Sequence, residues 1–186
     1  ANTREIAYKA FIVPSSNSVK LSNKTHYSSS KTTAEFLAES YAKDGLPIKV
    51  IRPFSVTGVG EQSGHLIPTL IRSCLYAEEM PFVSTPVHDF IDIADVVDGY
   101  IAVATKGTDF LYEAGNGRSY SNLEIKEIVE NITGQKANIK VVDSLRSYDV
   151  TQWSADNRSL LQLGWKPQKH IKQSIQEMVN YERSRT

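Results

Sequence analysis

Tyr27 and Lys31 stand four residues apart in the run His26-Tyr27-Ser28-Ser29-Ser30-Lys31, at the head of a segment with helical spacing, and serines lie about eleven residues upstream. On a helix, residues four apart share a face, so the Lys31 ammonium can approach the Tyr27 oxygen and favour its ionised form. A free tyrosine titrates near about 10, too high for proton transfer at neutral pH, and a neighbouring ammonium together with a cationic cofactor ring would lower it. The pair is a candidate phenol base. The same spacing also occurs on ordinary solvated helix faces, so the flanking sequence has to discriminate.

The elements that would position this pair can be read in order. Phe11-Ile12-Val13, closed by Pro14, reads as a buried strand whose end holds Ser15, Ser16 and Ser18. Ala34, Leu37, Ala38 and Tyr41 recur at helical spacing until Gly45 and Pro47, predicting an amphipathic helix from about Ser28 to Lys43. Ile48 to Arg52 is a second strand, followed by a glycine-containing loop from Pro53 to Gly60. Strand, helix, strand implies parallel neighbours. Further on, Leu66 to Ala77 is helical with Pro68 in its first turn, Phe90 to Ile93 is extended, and Asp95 opens a helix to about Ala104. Phe110 to Ala114 is a strand, and Ser121 with Glu124 forms a capping box for a helix ended by Gly134. Ile139 to Val142, Asn157 to Leu163 and His170 to Glu182 give a strand and two more helices.

The chain has 186 residues, with 21 Lys and Arg against 21 Asp and Glu. That length buries a real core and suits one domain or one and a half. Balanced charge supplies no field for polyanions, so neither nucleic acid nor a membrane surface is expected as a partner. The single cysteine, Cys74, cannot form an internal disulfide, and no signal-like start or long apolar span is seen, which fits a cytoplasmic setting. Cys74 lies in a helical apolar pattern and is expected to be a buried structural thiol. Trp153 and Trp165 are expected as core anchors. His65 and His88 lack carboxylate or histidine partners at ligand spacing, so no metal site is expected.

Taken together, these segments resemble the carboxy-terminal part of the extended short-chain dehydrogenase/reductases, the NAD-dependent sugar epimerase/dehydratase family. Several motifs carry the resemblance: Phe11-Ile12-Val13-Pro14-Ser15-Ser16, Tyr27-Ser-Ser-Ser-Lys31, Arg52-Pro53-Phe54-Ser55-Val56-Thr57-Gly58 and His65-Leu66-Ile67-Pro68. His88-Asp89-Phe90-Ile91-Asp92, Tyr112-Glu113-Ala114-Gly115-Asn116-Gly117 and Arg146-x-x-Asp149 follow in the same order. The resemblance implies an α/β fold, with a partial Rossmann-like parallel sheet, flanking helices and a small α/β substrate-binding lobe. Residues 1–57 and 89–117 would form the carboxy-terminal half of a nucleotide-binding sheet, and residues 58–88 and 118–186 the substrate-binding lobe.

By the same resemblance, Tyr27 would be the acid/base, Lys31 would tune it and hold the nicotinamide ribose, and Ser16, with Ser15 as runner-up, would hydrogen-bond the reacting oxygen. NAD or NADP would meet Tyr27, Lys31, Pro53 and Phe54. Ser55, His65, His88 and Arg146 would contact a nucleotide-sugar substrate. The implied reaction is nucleotide-sugar epimerisation or keto-sugar reduction. Family dehydratases carry an aspartate and a glutamate after the catalytic hydroxyl residue, where this chain has Asn17 and Ser18, so dehydration is disfavoured. The family arginine before Asp-Phe-Ile is His88 here.

The family's opening Gly-x-x-Gly-x-x-Gly turn does not precede Phe11, and Gly58-x-Gly60-x-x-x-Gly64 follows the wrong strand to replace it. The chain therefore reads as a fragment, a truncated relative or one half of a split protein. A non-catalytic sugar-nucleotide or protein-binding module is the alternative. An unpaired sheet edge would favour a homo-oligomer or an amino-terminal partner chain.

Overall fold

A computed structural model of the chain describes residues 9–143 and 153–185. In chain order the elements are β1 (Phe11–Pro14), α1 (His26–Lys43), β2 (Ile48–Pro53), β3 (Ser55–Thr57), α2 (Leu66–Tyr76), β4 (Met80–Phe82), β5 (Val87–His88) and β6 (Phe90–Asp92). There follow α3 (Ile93–Lys106), β7 (Leu111–Ala114), β8 (Tyr120–Ser121), α4 (Asn122–Thr133), β9 (Ile139–Val141), α5 (Arg158–Gln162) and α6 (Ile171–Arg183). The result is a mixed α/β fold of parallel strands with flanking helices. Among the described residues, no helix is long and apolar enough to cross a membrane.

The main sheet is parallel, in the order β1-β2-β7, with Val13 opposite Val50 and Arg52 opposite Glu113. Strand side chains alternate between faces, and β2 shows the consequence. Val50 joins Ile48 and Ala38 of α1 in one apolar cluster, while Ile51 packs on the other face with Val96 and Val103 of α3, Leu160 of α5 and Trp165. A separate cluster unites α2, α4 and α6 through Ile67, Leu70, Ile125, Val129, Ile175 and Val179. Parallel β4–β9 and antiparallel β5–β8 border it.

Local signals explain the helix ends. Thr25 caps α1 by a reciprocal box with Ser28, and Ser121 and Glu124 do the same for α4, which Gly134 ends in a left-handed conformation at φ 74°. Such caps satisfy amides and carbonyls that have no partner inside the helix.

Three expectations need correction. The stretch from Pro53 to Gly60 is not all loop, because Ser55–Thr57 pairs in parallel with Phe90–Asp92. The third helix begins at Ile93, capped by the Asp92 carboxylate on the Ala94 amide at 2.9 Å, and Asp95 lies inside it. The Asp95 carboxylate instead accepts the distant amides of Gln168 and Lys169. In α1, Ala38 is buried as expected, but Leu37 and Tyr41 are 58% and 51% exposed. Helical spacing marks an apolar face without saying what covers it; here β2 meets the narrower Ala38 side.

Candidate active site

Lys31 ties α1 to the carboxyl end of β1. Its Nζ donates to the Pro14 carbonyl at 3.0 Å and lies 5.7 Å from the centroid of the Tyr27 ring. Tyr27 is half exposed, so its phenol faces solvent near that strand end. The next residue, Ser15, extends the pairing of β1 with β2 by donating its amide to Ile51 at 2.8 Å. Ser16 then caps a short 3-10 turn, Asn17–Lys20; its Oγ accepts the Ser18 amide at 3.2 Å and donates to Asn17 Oδ1 at 3.3 Å. Among the described residues, Ser16 bonds neither Tyr27 nor Lys31, and the Ser18 hydroxyl has no partner. The strand end therefore carries the Lys31 ammonium beside the Ser16 turn, with the Tyr27 ring 5.7 Å from that ammonium.

The remaining candidates spread around this end and the neighbouring lobe. Pro53 closes β2, and Phe54 is buried with its amide on the Ala114 carbonyl at 2.9 Å. The Phe54 ring lies under the Lys20 ammonium at 5.3 Å and beside Trp153 at 6.2 Å. Ser55 starts β3 and donates its amide to the Asp89 carbonyl at 3.0 Å. His65 occupies the cap position of α2, exposed, with Nδ1 3.1 Å from Glu61 Oε1. Burial pushes the Glu61 carboxyl up, against the hydroxyl bond from Thr57. His88 pairs across from Tyr120, its ring 5.6 Å from that of Phe90. Arg146 lies outside the described residues.

Cys74 is buried, and burial pushes its thiol up, against the thiolate form that a nucleophile needs. Trp165 is buried and donates Nε1 to the Asp95 carbonyl. No group of His, Cys, Asp and Glu among the described residues is arranged to hold a metal ion. A cavity of about 700 Å³ opens between the loop after β3, α2 and α6, bordered by Glu61, Arg72, Tyr76 and Met178. None of Ser16, Tyr27 or Lys31 lines it, so it is not the phenol's site.

Two constellations escaped the sequence reading. The Glu35 carboxylate accepts the Ser15 hydroxyl at 2.5 Å and both Nε and Nη2 of Arg52, at 2.7 and 2.5 Å. Arg52 also faces Glu113 at 3.6 Å, and Glu113 holds Lys20 at 2.5 Å and the Asp156 amide at 2.9 Å. Burial pushes Glu35 up, but the bonds from Arg52 and Ser15 outweigh it and leave the carboxyl below its ordinary value. Spacing could have pointed to it, since Glu35 falls one helical turn after Lys31. The second constellation is Asp89, fully buried, whose carboxylate accepts the amides of Asn116, Gly117 and Ala155 at 2.7 to 3.0 Å. Burial pushes its carboxyl up and the three amides oppose this.

The model of the NAD dependent epimerase/dehydratase family matches residues 5–115. A UDP-glucuronate 4-epimerase of Thermodesulfobacterium geofontis is 28% identical over 161 residues, which is 83% of this chain and 49% of that protein. A UDP-glucose 4-epimerase of Corynebacterium glutamicum is 23% identical over 177 residues, 84% of this chain and 54% of its own length. The chain thus spans about half the length of the curated relatives it matches. Among solved structures, the UDP-glucuronic acid 4-epimerase of Bacillus cereus, in complex with UDP-glucuronic acid and NAD, superposes with a TM-score of 0.86 at 22% identity. That match covers 99% of this chain and 64% of the other. The UDP-glucose 4-epimerase of Thermotoga maritima, with UDP-glucose, gives 0.86 at 22% identity over 95% of this chain and 64% of its own. At that identity the likeness establishes the Rossmann-like fold.

Proposed function

The chain belongs to the NAD dependent epimerase/dehydratase family, and from that premise we propose that it supplies the acid–base and substrate-holding part of a nucleotide-sugar epimerase or keto-sugar reductase that uses NAD or NADP. The observation that carries this reading is the Lys31 bond to the Pro14 carbonyl, which brings the Tyr27 helix to the strand end immediately before Ser15 and Ser16. An exposed phenol beside an ammonium suits the hydroxyls of a nicotinamide ribose, with Pro53 and Phe54 at the end of the adjoining strand. A bound nicotinamide would supply the hydride chemistry at a sugar carbon.

The rest of the chemistry falls to this chain's own side chains. Tyr27 exchanges the proton of the sugar hydroxyl through its phenol oxygen, and Lys31 supplies a positive charge beside the ring that favours the ionised form. Ser16 hydrogen-bonds the same sugar oxygen, exchanging its local bond to Asn17 for one to substrate. Asn17 and Ser18 carry no carboxyl to move a carbon-bound proton or protonate a leaving hydroxyl, so the reaction is not an elimination of water. Ser55, His65, His88 and Arg146 contact the nucleotide sugar. In this reading residues 58–88 and 118–186 form the substrate-binding lobe, and residues 1–57 and 89–117 the half-sheet.

The test is turnover of UDP-hexoses by the protein expressed from its complete coding sequence, with NAD or NADP, analysed by NMR of the products. An epimer or a reduced sugar supports the proposal. A 4-keto-6-deoxy sugar would contradict it, and nucleotide-sugar binding without any turnover would assign the chain to a binding module.

A further inference from the structure

Tyr27, Lys31 and Glu35 recur at four-residue steps and so share one face of α1. Lys31 and Glu35 both bond the carboxyl end of the sheet, Lys31 at the Pro14 carbonyl and Glu35 at Ser15 and Arg52. Its two carboxylate oxygens are both occupied, by the Ser15 hydroxyl and by the planar fork of Arg52. Arg52 sits opposite Glu113 in the β2–β7 register, and Glu113 in turn holds Lys20. Ser15 immediately precedes Ser16, and Lys20 is the last residue of the turn that Ser16 caps. Ser16 is therefore bracketed on both sides by the ends of one continuous chain of charges.

We propose, building on the acid–base role given to Tyr27 above, that Glu35, Arg52 and Glu113 are positioning residues that clamp the Ser15–Lys20 turn from both ends and lock it to the helix bearing Tyr27 and Lys31. Three observations separate this from ordinary sheet stabilisation. Backbone pairing already joins β1, β2 and β7, so the strands do not need the charges to stay in register. The outer ends of the chain reach Ser15, the residue that leads from β1 into the turn, and Lys20, the turn's last residue, while Glu113 also holds the Asp156 amide. The groups are largely withdrawn from water, with side-chain exposures of 14% for Glu35, 18% for Arg52 and 9% for Glu113. Such a buried pair offers little net stability over an apolar one, yet its bidentate geometry permits only one arrangement.

Catalysis is sensitive to that arrangement, because displacing a reacting group by about 1 Å can cost about 100-fold in rate. A serine at a strand end, capping a four-residue turn that also packs against α1 and accepts the Lys24 ammonium on the Val19 carbonyl, is fixed to the buried charges through Ser15 and Lys20.

Arg52→Lys keeps the charge but loses the two-pronged fork, and Glu35→Gln keeps the shape but loses the charge. Both are made in the protein expressed from its complete coding sequence. Amide exchange of residues 15–21 is followed by mass spectrometry, and kcat and KM for the nucleotide sugar are measured separately. The expected result is exchange faster by about tenfold, confined to that turn, with kcat lowered by about tenfold or more and KM changed by less than about threefold. Unchanged exchange of the turn in both variants would overturn the clamp. So would a kcat within about twofold of the parent. If the parent itself fails to turn over, the functional reading falls, and amide exchange alone decides whether the clamp exists.

Discussion

Lys31 shows how a single atom can join two levels of structure, since its Nζ both fastens α1 to the end of β1 and places a positive charge 5.7 Å from the Tyr27 ring. The pair was visible in the sequence because helical spacing is regular. Glu35 was not read with it, because its partners Ser15 and Arg52 come from two separate strands or strand ends, and Glu113, which Arg52 also faces, from a third. A carboxylate's partner in another element leaves no local pattern. Asp89 is a second such case, held by amides from two distant loops. Gly115 lies against this carboxylate: a Cβ there would stand 2.4 Å from the Ala155 Cβ and 2.8 Å from Asp89 Oδ2. Gly115→Ala is expected to push the two loops apart and weaken the amide bonds, at a cost of about 2–4 kcal/mol. Thermal unfolding would show a midpoint lower by about 5–10 °C. A midpoint within about 1 °C of the parent would show that the loops have slack.

Among the elements, α4 was the most legible and α3 the least accurate in its start. Ser121 and Glu124 announce α4 because both partners of the cap lie within one turn. Asp95 was read as the cap of α3, whereas Asp92 caps it and also accepts the Ser174 hydroxyl at 2.7 Å from across the fold, and Asp95 is taken up by the Gln168 and Lys169 amides. β3 was hidden by its brevity, three residues whose only pairing among the described residues is with β6. In α4, Glu130 is buried and accepts Lys126 at 2.9 Å, Lys136 at 2.7 Å and the Ala137 amide at 3.1 Å. Burial pushes its carboxyl up, yet these bonds prevail and draw it from 4.5 down to about 2. A carboxyl held low in the folded state stabilises the fold fully above its unfolded value near 4.5, and that stability is lost as pH falls from there toward about 2. Glu130→Gln should therefore flatten the acid limb of the stability curve. Urea unfolding at about pH 6 and about pH 3 is expected to show the parent losing about 1 kcal/mol more than the variant, a modest figure because Lys136 is 87% exposed and screened. Parallel losses in both proteins would remove Glu130 from the account.

Over the whole molecule, charge is balanced, and among the described residues β1 forms an edge of the three-stranded sheet. The family match spans residues 5–115, so it takes in the Ser16 turn, the Tyr27–Lys31 helix and the Arg52–Glu113 pairing in one stretch. Composition gave no reason to expect a polyanion partner and named no chemistry; the order of motifs along the chain suggested one, and the fold sets Lys31 on the strand end immediately before Ser15 and Ser16. The central claim is that Tyr27 transfers the proton. The most direct measurement is the steady-state turnover of Tyr27→Phe beside the parent, with thermal unfolding of both. Because the ring is 55% exposed and its phenol oxygen carries no bond to the fold among the described residues, stability is expected to stay within about 0.5 kcal/mol. The account predicts that kcat falls by about 100-fold or more in a protein that remains folded. Turnover retained at the parent's rate would contradict it.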